Sequence, residues 1–312
     1  MSQARVVCLF PGQGSQRVGM GRDLAEAFPV ARRTFAEADE RLGMALSRLC
    51  FEGPEERLVL TEYAQPAILT ASIAAYRVLE ETVGPTPLAV AGHSLGEWSA
   101  LVAARALAFD AAVAGVRERG RLMQEAVPPG QGAMAAVSGL DAEAVAALCA
   151  EAANGDVLCP ANLNGGGQVV VAGHAPAVER LLLLAATRKA RAQRLPVSAP
   201  FHCPLMTPAA EGLDRYLEAV EFREPRLPVW TSVEARPVAS AREIRSLLVR
   251  QMTAPVRWEE TVRGLATLGA TLALEMGPGR VLTGLLRRTV ASLTGLPAGD
   301  ADGLARAREL CA

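Results

Sequence analysis

The stretch Leu88-Ala-Val-Ala-Gly-His-Ser-Leu-Gly-Glu-Trp-Ser-Ala-Leu101 decides the fold. Its opening, Leu88 to Ala91, is a short apolar run of the kind that forms a buried strand. Gly92-His93-Ser94-Leu95-Gly96 ends the run, and Glu97 then opens the helix-forming segment Trp98–Leu107. Gly-x-Ser-x-Gly between a strand and a helix is the pattern of a nucleophile elbow, a sharp turn that lifts the serine hydroxyl into the open. Glycine is needed on both sides because a Cβ would collide with the neighbouring strand or helix. The helix N-terminus beneath the serine offers free N–H groups to a developing oxyanion. In a chain with 28 glycines the pentapeptide alone is a modest signal, and a structural turn serine is the plain alternative. The strand before it and the helix after it favour Ser94 as a nucleophile.

Around the elbow the chain alternates strands and helices. Arg5–Phe10 reads as a buried strand, followed by the turn Pro11-Gly-Gln-Gly-Ser-Gln16 and helical patterns near Gly21–Leu42 and Gln65–Val83. This order predicts a parallel sheet with helices on both faces. A helix over Asp110–Ala126 runs into Val127-Pro-Pro-Gly-Gln-Gly132, a breaker cluster and candidate domain boundary. The pattern then changes to strand Ala133–Gly139, helix Asp141–Ala153 and strand Val157–Leu163. After the loop Asn164-Gly-Gly-Gly167 come strand Gln168–Ala172, helix Ala175–Thr187 and strand Gln193–Val197. That β-α-β-β-α-β order is the ferredoxin-like plan, expected as a small domain over 130–198 inserted into a large α/β domain of 1–129 and 199–312. The large domain resumes with helices near Met206–Val220, Ala241–Met252 and Trp258–Gly269, strands Pro228–Ser232 and Thr271–Met276, and a last helix after the turn Gly277-Pro-Gly279.

Composition narrows the function classes. Half of the 312 residues are hydrophobic, enough for one large core or two subdomains. A formal net charge of −1 and the lack of any basic run argue against nucleic acid as a partner. No apolar stretch reaches about 18 residues without a charge, so no membrane span is expected. Met1–Phe10 is too short in its apolar part for a signal peptide and has no cleavage site. The 6 cysteines are scattered with no Cys-x-x-Cys pair, as in a reduced cytoplasmic protein with ordinary core thiols.

A serine nucleophile needs a base, and the chain has 3 histidines. His93 adjoins Ser94, but neighbouring side chains on so sharp a turn point apart. His174 follows a strand end and reads as a loop or helix-cap residue. His202 lies in Ser198-Ala-Pro-Phe-His-Cys-Pro-Leu-Met206, a proline-bracketed loop where the chain re-enters the large domain, and is favoured. None of Asp110, Asp141 and Asp156, which lie between serine and histidine, sits convincingly at a strand end, so a dyad oriented by a backbone carbonyl or an amide is expected. The turn after the first strand is not a dinucleotide fingerprint, because Arg17 stands where the third glycine belongs. Its Gln13 backbone N–H suits an oxyanion hole, with a simple strand–helix turn as the alternative. Arg119 and Arg121, taken by themselves, read as solvated helix-surface residues.

Taken together, Phe10-Pro-Gly-Gln-Gly-Ser-Gln16, Gly92-His-Ser-Leu-Gly-Glu-Trp-Ser-Ala100, Arg119-Gly-Arg-Leu-Met-Gln-Glu-Ala126, the segment around His202, Val249-Arg-Gln-Met252 and Met276-Gly-Pro-Gly279 resemble the malonyl-CoA:acyl-carrier-protein transacylases. The segments occur in order over nearly the whole chain. The resemblance implies a hydrolase-like α/β large domain with an inserted ferredoxin-like small domain. It implies Ser94 as the acylated nucleophile, His202 as its base, and the amides of Gln13 and Leu95 as the oxyanion hole. Gln251 would lie beside the histidine and help orient the dyad through its neighbouring backbone. Arg119 would grip the malonate carboxylate, which a guanidinium fork does with two parallel hydrogen bonds. Asn162 would line the cleft between the domains, with His93 in a supporting place. Phe201, before the catalytic histidine, has the bulk of malonyl-selective polyketide acyltransferases, whereas Trp98 replaces the smaller aromatic common after the elbow glutamate. The implied function is ping-pong transfer of malonyl from malonyl-CoA to the phosphopantetheine thiol of an acyl carrier protein, in the cytoplasm, with no metal or redox cofactor. A carrier-protein thioester hydrolase and a catalytically silent docking module are the alternatives. Retention of Arg119 counts against the first, and intact Ser94 and His202 against the second.

Overall fold

A computed structural model of the protein describes residues 4–84 and 86–311; Met1–Gln3, which open the segment that lacks a signal-peptide pattern, lie outside the described residues. Five strands form a parallel sheet: β1 (Val6–Phe10), β2 (Val90–Gly92), and, from the second half of the chain, strands Val229–Trp230, Leu272–Glu275 and Thr294–Pro297. Between the two groups lie β3 (Gly132–Ser138), β4 (Leu158–Gly165), β5 (Gln168–His174) and β6 (Arg191–Arg194), so the later strands are β7, β8 and β9. The parallel sheet has the order β7-β2-β1-β8-β9, with β1 at its centre. Along β1 the side chains alternate between two cores. Val6, Cys8 and Phe10 pack with the helices on one face, and Val7 and Leu9 with those on the other. A strand buried on both faces needs a continuous apolar run, which is what Val-Val-Cys-Leu-Phe supplies.

The second sheet, β4-β5-β3-β6, is wholly antiparallel and carries its own apolar cluster under the helices Ala142–Ala153 and Ala175–Thr187. Its elements run from Gly132 to Arg194, in the β-α-β-β-α-β order expected. Asp141 starts the first of these helices by accepting the Ala144 N–H at 2.8 Å, the usual work of an N-cap carboxylate. Among the described residues no helix is long and apolar enough to cross a membrane.

Several boundaries differ from the sequence reading, each for a local reason. The helical pattern at Gly21–Leu42 is two helices, Arg22–Ala27 and Pro29–Leu42, because the residue before a proline is pushed out of helical geometry and Phe28 is extended (φ −125°, ψ 120°). Asn164 and Gly165, read as loop, extend β4, where two bulges let the strand carry on past Leu163. The short helices Leu46–Glu52 and Glu55–Leu58, strand β9 and the helix Ala301–Cys311 were not legible; Gly295 and Pro297 hide the strand signal of β9. Trp98, for which the sequence suggested no consequence, is fully buried against Gly115, where a Cβ would come within 2.6 Å of its ring.

Candidate active site

The C-terminal ends of parallel strands face one edge of the sheet, where open α/β folds place their sites. There the end of β2 turns sharply into the helix Gly96–Ala103, with Ser94 at the turn. The turn is closed so tightly that only glycine fits at either side. A Cβ on Gly92 would lie 1.8 Å from the Gly96 carbonyl carbon, and one on Gly96 would lie 2.0 Å from the Phe10 carbonyl oxygen. Between them Ser94 is forced to φ 52°, the left-handed region that costs a non-glycine residue on the order of 1 kcal/mol or more. His202 shares that strain, with φ 60° in the loop that returns from the small sheet.

These two residues meet. Ser94 Oγ lies 2.7 Å from His202 Nε2, and His202 Nδ1 lies 2.7 Å from the backbone carbonyl oxygen of Gln251. A carbonyl can only accept, so Nδ1 carries the proton and donates it. Nε2 of the neutral ring is thereby left to accept from the serine hydroxyl. The orienting group is a main-chain carbonyl, as the lack of a well-placed acid suggested, but it is Gln251's own rather than that of a neighbour. Two of the acids that lie between serine and histidine in the chain are occupied elsewhere: Asp141 caps its helix, and Asp156 pairs with Arg180 in the small domain. His174 precedes the helix Ala175–Thr187 at its N-cap position.

Arg119 corrects the expectation that it is a solvated surface residue. It is 1% exposed, on the face of the helix Phe109–Glu125 turned inward. The next residue, Gly120, allows this close packing, since a Cβ there would sit 2.6 Å from the Thr61 carbonyl oxygen. Arg119 Nη1 donates to Gln65 Oε1 at 2.7 Å, and Nη2 donates to Gln251 Oε1 at 2.9 Å and to Ser94 Oγ at 3.2 Å. Its Nε–H is buried with no acceptor among the described residues. An unsatisfied donor on a buried cation, beside a nucleophile, is a site for an anion. Burial pulls the Arg119 pKa down to about 10, opposed by the nearby Glu97, so the group stays charged at neutral pH.

The backbone N–H groups of Gln13 and Leu95 likewise donate to no acceptor among the described residues. Leu95 opens the elbow helix, and the Gln13 loop approaches the elbow so closely that a Cβ on Gly12 would be 2.6 Å from the His93 carbonyl oxygen. The Gln13 side chain is turned aside, its Oε1 accepting from Thr61 Oγ1 at 2.8 Å. His93 donates from Nε2 to Asn164 Oδ1 at 2.9 Å, tying the elbow to β4. Asn162, expected to line the cleft between the domains, bridges Val256 through its backbone, and its Oδ1 is buried with no partner among the described residues. Phe201 is buried beside the base. Five residues with contacts in this network were missed from sequence: Gln65, Glu97, Ser232, Thr61 and Asn164. The first two are polar residues inside apolar helical runs, which is the signal that could have raised them.

Burial, the charge of Arg119 and that of His93 lower the His202 pKa to about 3, against the hydrogen bond to Gln251. A base depressed this far is already neutral at every pH above about 4. Acylation of the free enzyme should therefore hold steady from pH 8 down to about pH 5, where an unperturbed histidine of pKa about 6.5 would be mostly protonated. In Arg119→Ala, assayed with a neutral acyl-CoA, the acid limb should move up toward pH 6.5 because one cause of the depression is gone. Stopped-flow acylation across pH checks both, and an acid limb near 6.5 in the unaltered protein contradicts the lowering of the His202 pKa by burial and Arg119.

The acyl transferase domain family matches residues 7–308 of the chain. The malonyl CoA-acyl carrier protein transacylase of Escherichia coli (strain K12) is 48% identical over 305 residues, 97% of this chain and 98% of that protein. Among solved structures, the malonyl CoA-acyl carrier protein transacylase from Coxiella burnetii superposes with a TM-score of 0.97 at 42% identity, covering 99% of this chain and 98% of the other. A malonyl-transacylase solved in complex with its type II polyketide synthase acyl carrier protein gives a TM-score of 0.96 at 48% identity, covering 98% and 99%.

Proposed function

Because the chain belongs to the acyl transferase domain family, we propose that it transfers malonyl groups from malonyl-CoA to the phosphopantetheine thiol of an acyl carrier protein. The observation that carries this reading is a buried, charged Arg119 with a free donor, 3.2 Å from the hydroxyl of a serine that is hydrogen-bonded to a neutral histidine.

In the first half-reaction Ser94 Oγ attacks the thioester carbonyl carbon while its proton passes to His202 Nε2. The oxyanion that forms is met by the N–H groups of Gln13 and Leu95. Imidazolium is stabilised by the Gln251 carbonyl, which keeps its bond to Nδ1. Collapse breaks the C–S bond, and CoA leaves as the thiol after taking the proton from Nε2. The carrier thiol then gives its proton to Nε2 and attacks the Ser94 ester, which returns the serine and leaves malonyl on the carrier. Each proton has a carrier and no atom changes oxidation state, so the proposed chemistry calls on no metal or redox cofactor. The malonate carboxylate pairs with Arg119, which lessens the cationic field on His202 and strengthens the base only when the right acyl group is bound. A cytoplasmic setting fits the six free thiols, none of them bonded to another.

The test is selectivity. A neutral acyl group leaves Arg119 buried and unpaired, whereas malonyl satisfies it. Arg119→Ala should therefore lower the specificity constant for malonyl-CoA by about 10²-fold and that for acetyl-CoA far less, with lysine restoring only part because it lacks the planar fork. An unchanged malonyl-to-acetyl ratio would favour the thioester hydrolase, which has no use for a cation beside its nucleophile.

A further inference from the structure

Gln251 is the side chain on which the site converges. Its carbonyl holds the base, its Oε1 accepts from Arg119, and its Nε2 lies 3.2 Å from the Ser94 carbonyl oxygen. The amide could sit in either of two orientations that exchange oxygen for nitrogen. The reversed one would set N–H against guanidinium N–H and cost Arg119 Nη2 its shorter hydrogen bond. Two acceptors make the choice, the Ser94 carbonyl oxygen, which takes the Gln251 Nε2–H at 3.2 Å, and Glu97 behind it. Glu97 Oε2 accepts from Gln251 Nε2 at 2.6 Å and from the Ser232 backbone N–H at 2.9 Å. A backbone N–H cannot reverse, so that oxygen is committed as an acceptor and Gln251 must present its nitrogen.

Glu97 is 2% exposed and sits three residues beyond the nucleophile, yet the transfer steps above give it no part. We propose that Glu97 is a positioning residue for carboxylate recognition: it locks the Gln251 amide so that Oε1 holds Arg119 Nη2 beside Ser94. Burial pushes its carboxyl pKa up, while hydrogen bonding from Ser232 and Gln251 and the Arg119 charge pull it down. A purely structural staple is the competing role, since Ser232 also donates from Oγ to the Gly92 carbonyl at 2.9 Å and could tie β7 to the elbow without help.

The proposal rests on malonyl transfer as the function, and the experiment separates the two. Purified wild type, Glu97→Met, Glu97→Gln, Gln251→Met and the double variants are compared for Ser94 loading from malonyl-CoA and acetyl-CoA. Methionine matches the shape of glutamate but offers only a weakly accepting sulfur, so Glu97→Met should lower the malonyl-to-acetyl ratio about tenfold, the worth of one hydrogen bond to a charged group. Glutamine keeps an acceptor without charge, so Glu97→Gln should restore most of the ratio and leave a loss of about threefold. In the Gln251→Met background neither change should matter further, because the amide that Glu97 orients is gone. If Glu97→Met does not fold, the Glu97→Gln arm and its disappearance in the Gln251→Met background carry the test. An unaltered ratio in the Glu97 variants, or losses that simply add to that of Gln251→Met, overturns the positioning role. Failure of the wild type to take malonyl on Ser94 overturns the function itself.

Discussion

Ser94→Ala is expected to remain folded and to bind malonyl-CoA while forming no acyl-enzyme, with transfer falling on the order of 10⁶-fold. The turn geometry belongs to Gly92 and Gly96, so alanine inherits the same φ of 52° and the surroundings need not move. What is lost is one oxygen: the atom that accepts from Arg119 Nη2 at 3.2 Å and donates to His202 Nε2 at 2.7 Å. Arg119 keeps its bonds to Gln65 and Gln251, so recognition of the carboxylate should survive the change. No nearby thiol is positioned to substitute. Cys203 adjoins the base in sequence, but burial pushes its pKa up to about 12, and a buried thiol is a poor nucleophile. Intact-protein mass spectrometry after exposure to malonyl-CoA reads the result directly: the wild type gains one malonyl mass on the Ser94 peptide and the variant gains none. A persistent adduct on the variant, or a wild-type adduct that maps to another residue, removes Ser94 as the nucleophile.

His202→Asn should cost roughly 10²- to 10⁴-fold in acylation rate, the usual worth of a general base. Asparagine is preferable to alanine because it tolerates the φ of 60° that this loop imposes, so the loss reports chemistry rather than refolding of the loop. Two comparators make the result specific. His93 bonds to Asn164 and packs edge-on to Trp258 with ring centroids 5.4 Å apart, and His174 Nδ1 accepts the Val157 N–H at 3.1 Å within the small domain. His93→Ala should cost stability and only a modest part of the rate, and His174→Ala should leave the rate nearly unchanged. Single-turnover loading of Ser94 from malonyl-CoA distinguishes the three. A His202 variant that loads at wild-type speed, with either of the others slow, reassigns the base.

The local parts of this protein were legible in its sequence because they rest on local physics. A strand broken by Gly-x-Ser-x-Gly and followed by a helix former specifies the elbow, since the steric demands at Gly92 and Gly96 arise within a few residues. The β-α-β-β-α-β order of the small sheet follows from side-chain periodicity, and the helix Ala175–Thr187 has the bounds that pattern predicts. The scarcity of histidine and the proline-bracketed loop were enough to single out His202. Resemblance to a family, not spacing, raised Arg119 and Gln251, because helix periodicity alone reads a basic residue as surface.

Only the tertiary structure decided what holds these residues and which atoms they share. The bonds that bury Arg119 join residues 54 and 132 positions apart, and those that orient Gln251 through Glu97 and Ser232 span 154 and 135. Asn164, which its sequence places in a glycine loop, reaches His93 because β4 runs two residues farther than its apolar pattern. No pattern along the chain encodes such contacts. A buried polar side chain is tolerated only where partners arrive from distant segments to meet its donors and acceptors, and packing alone brings them there.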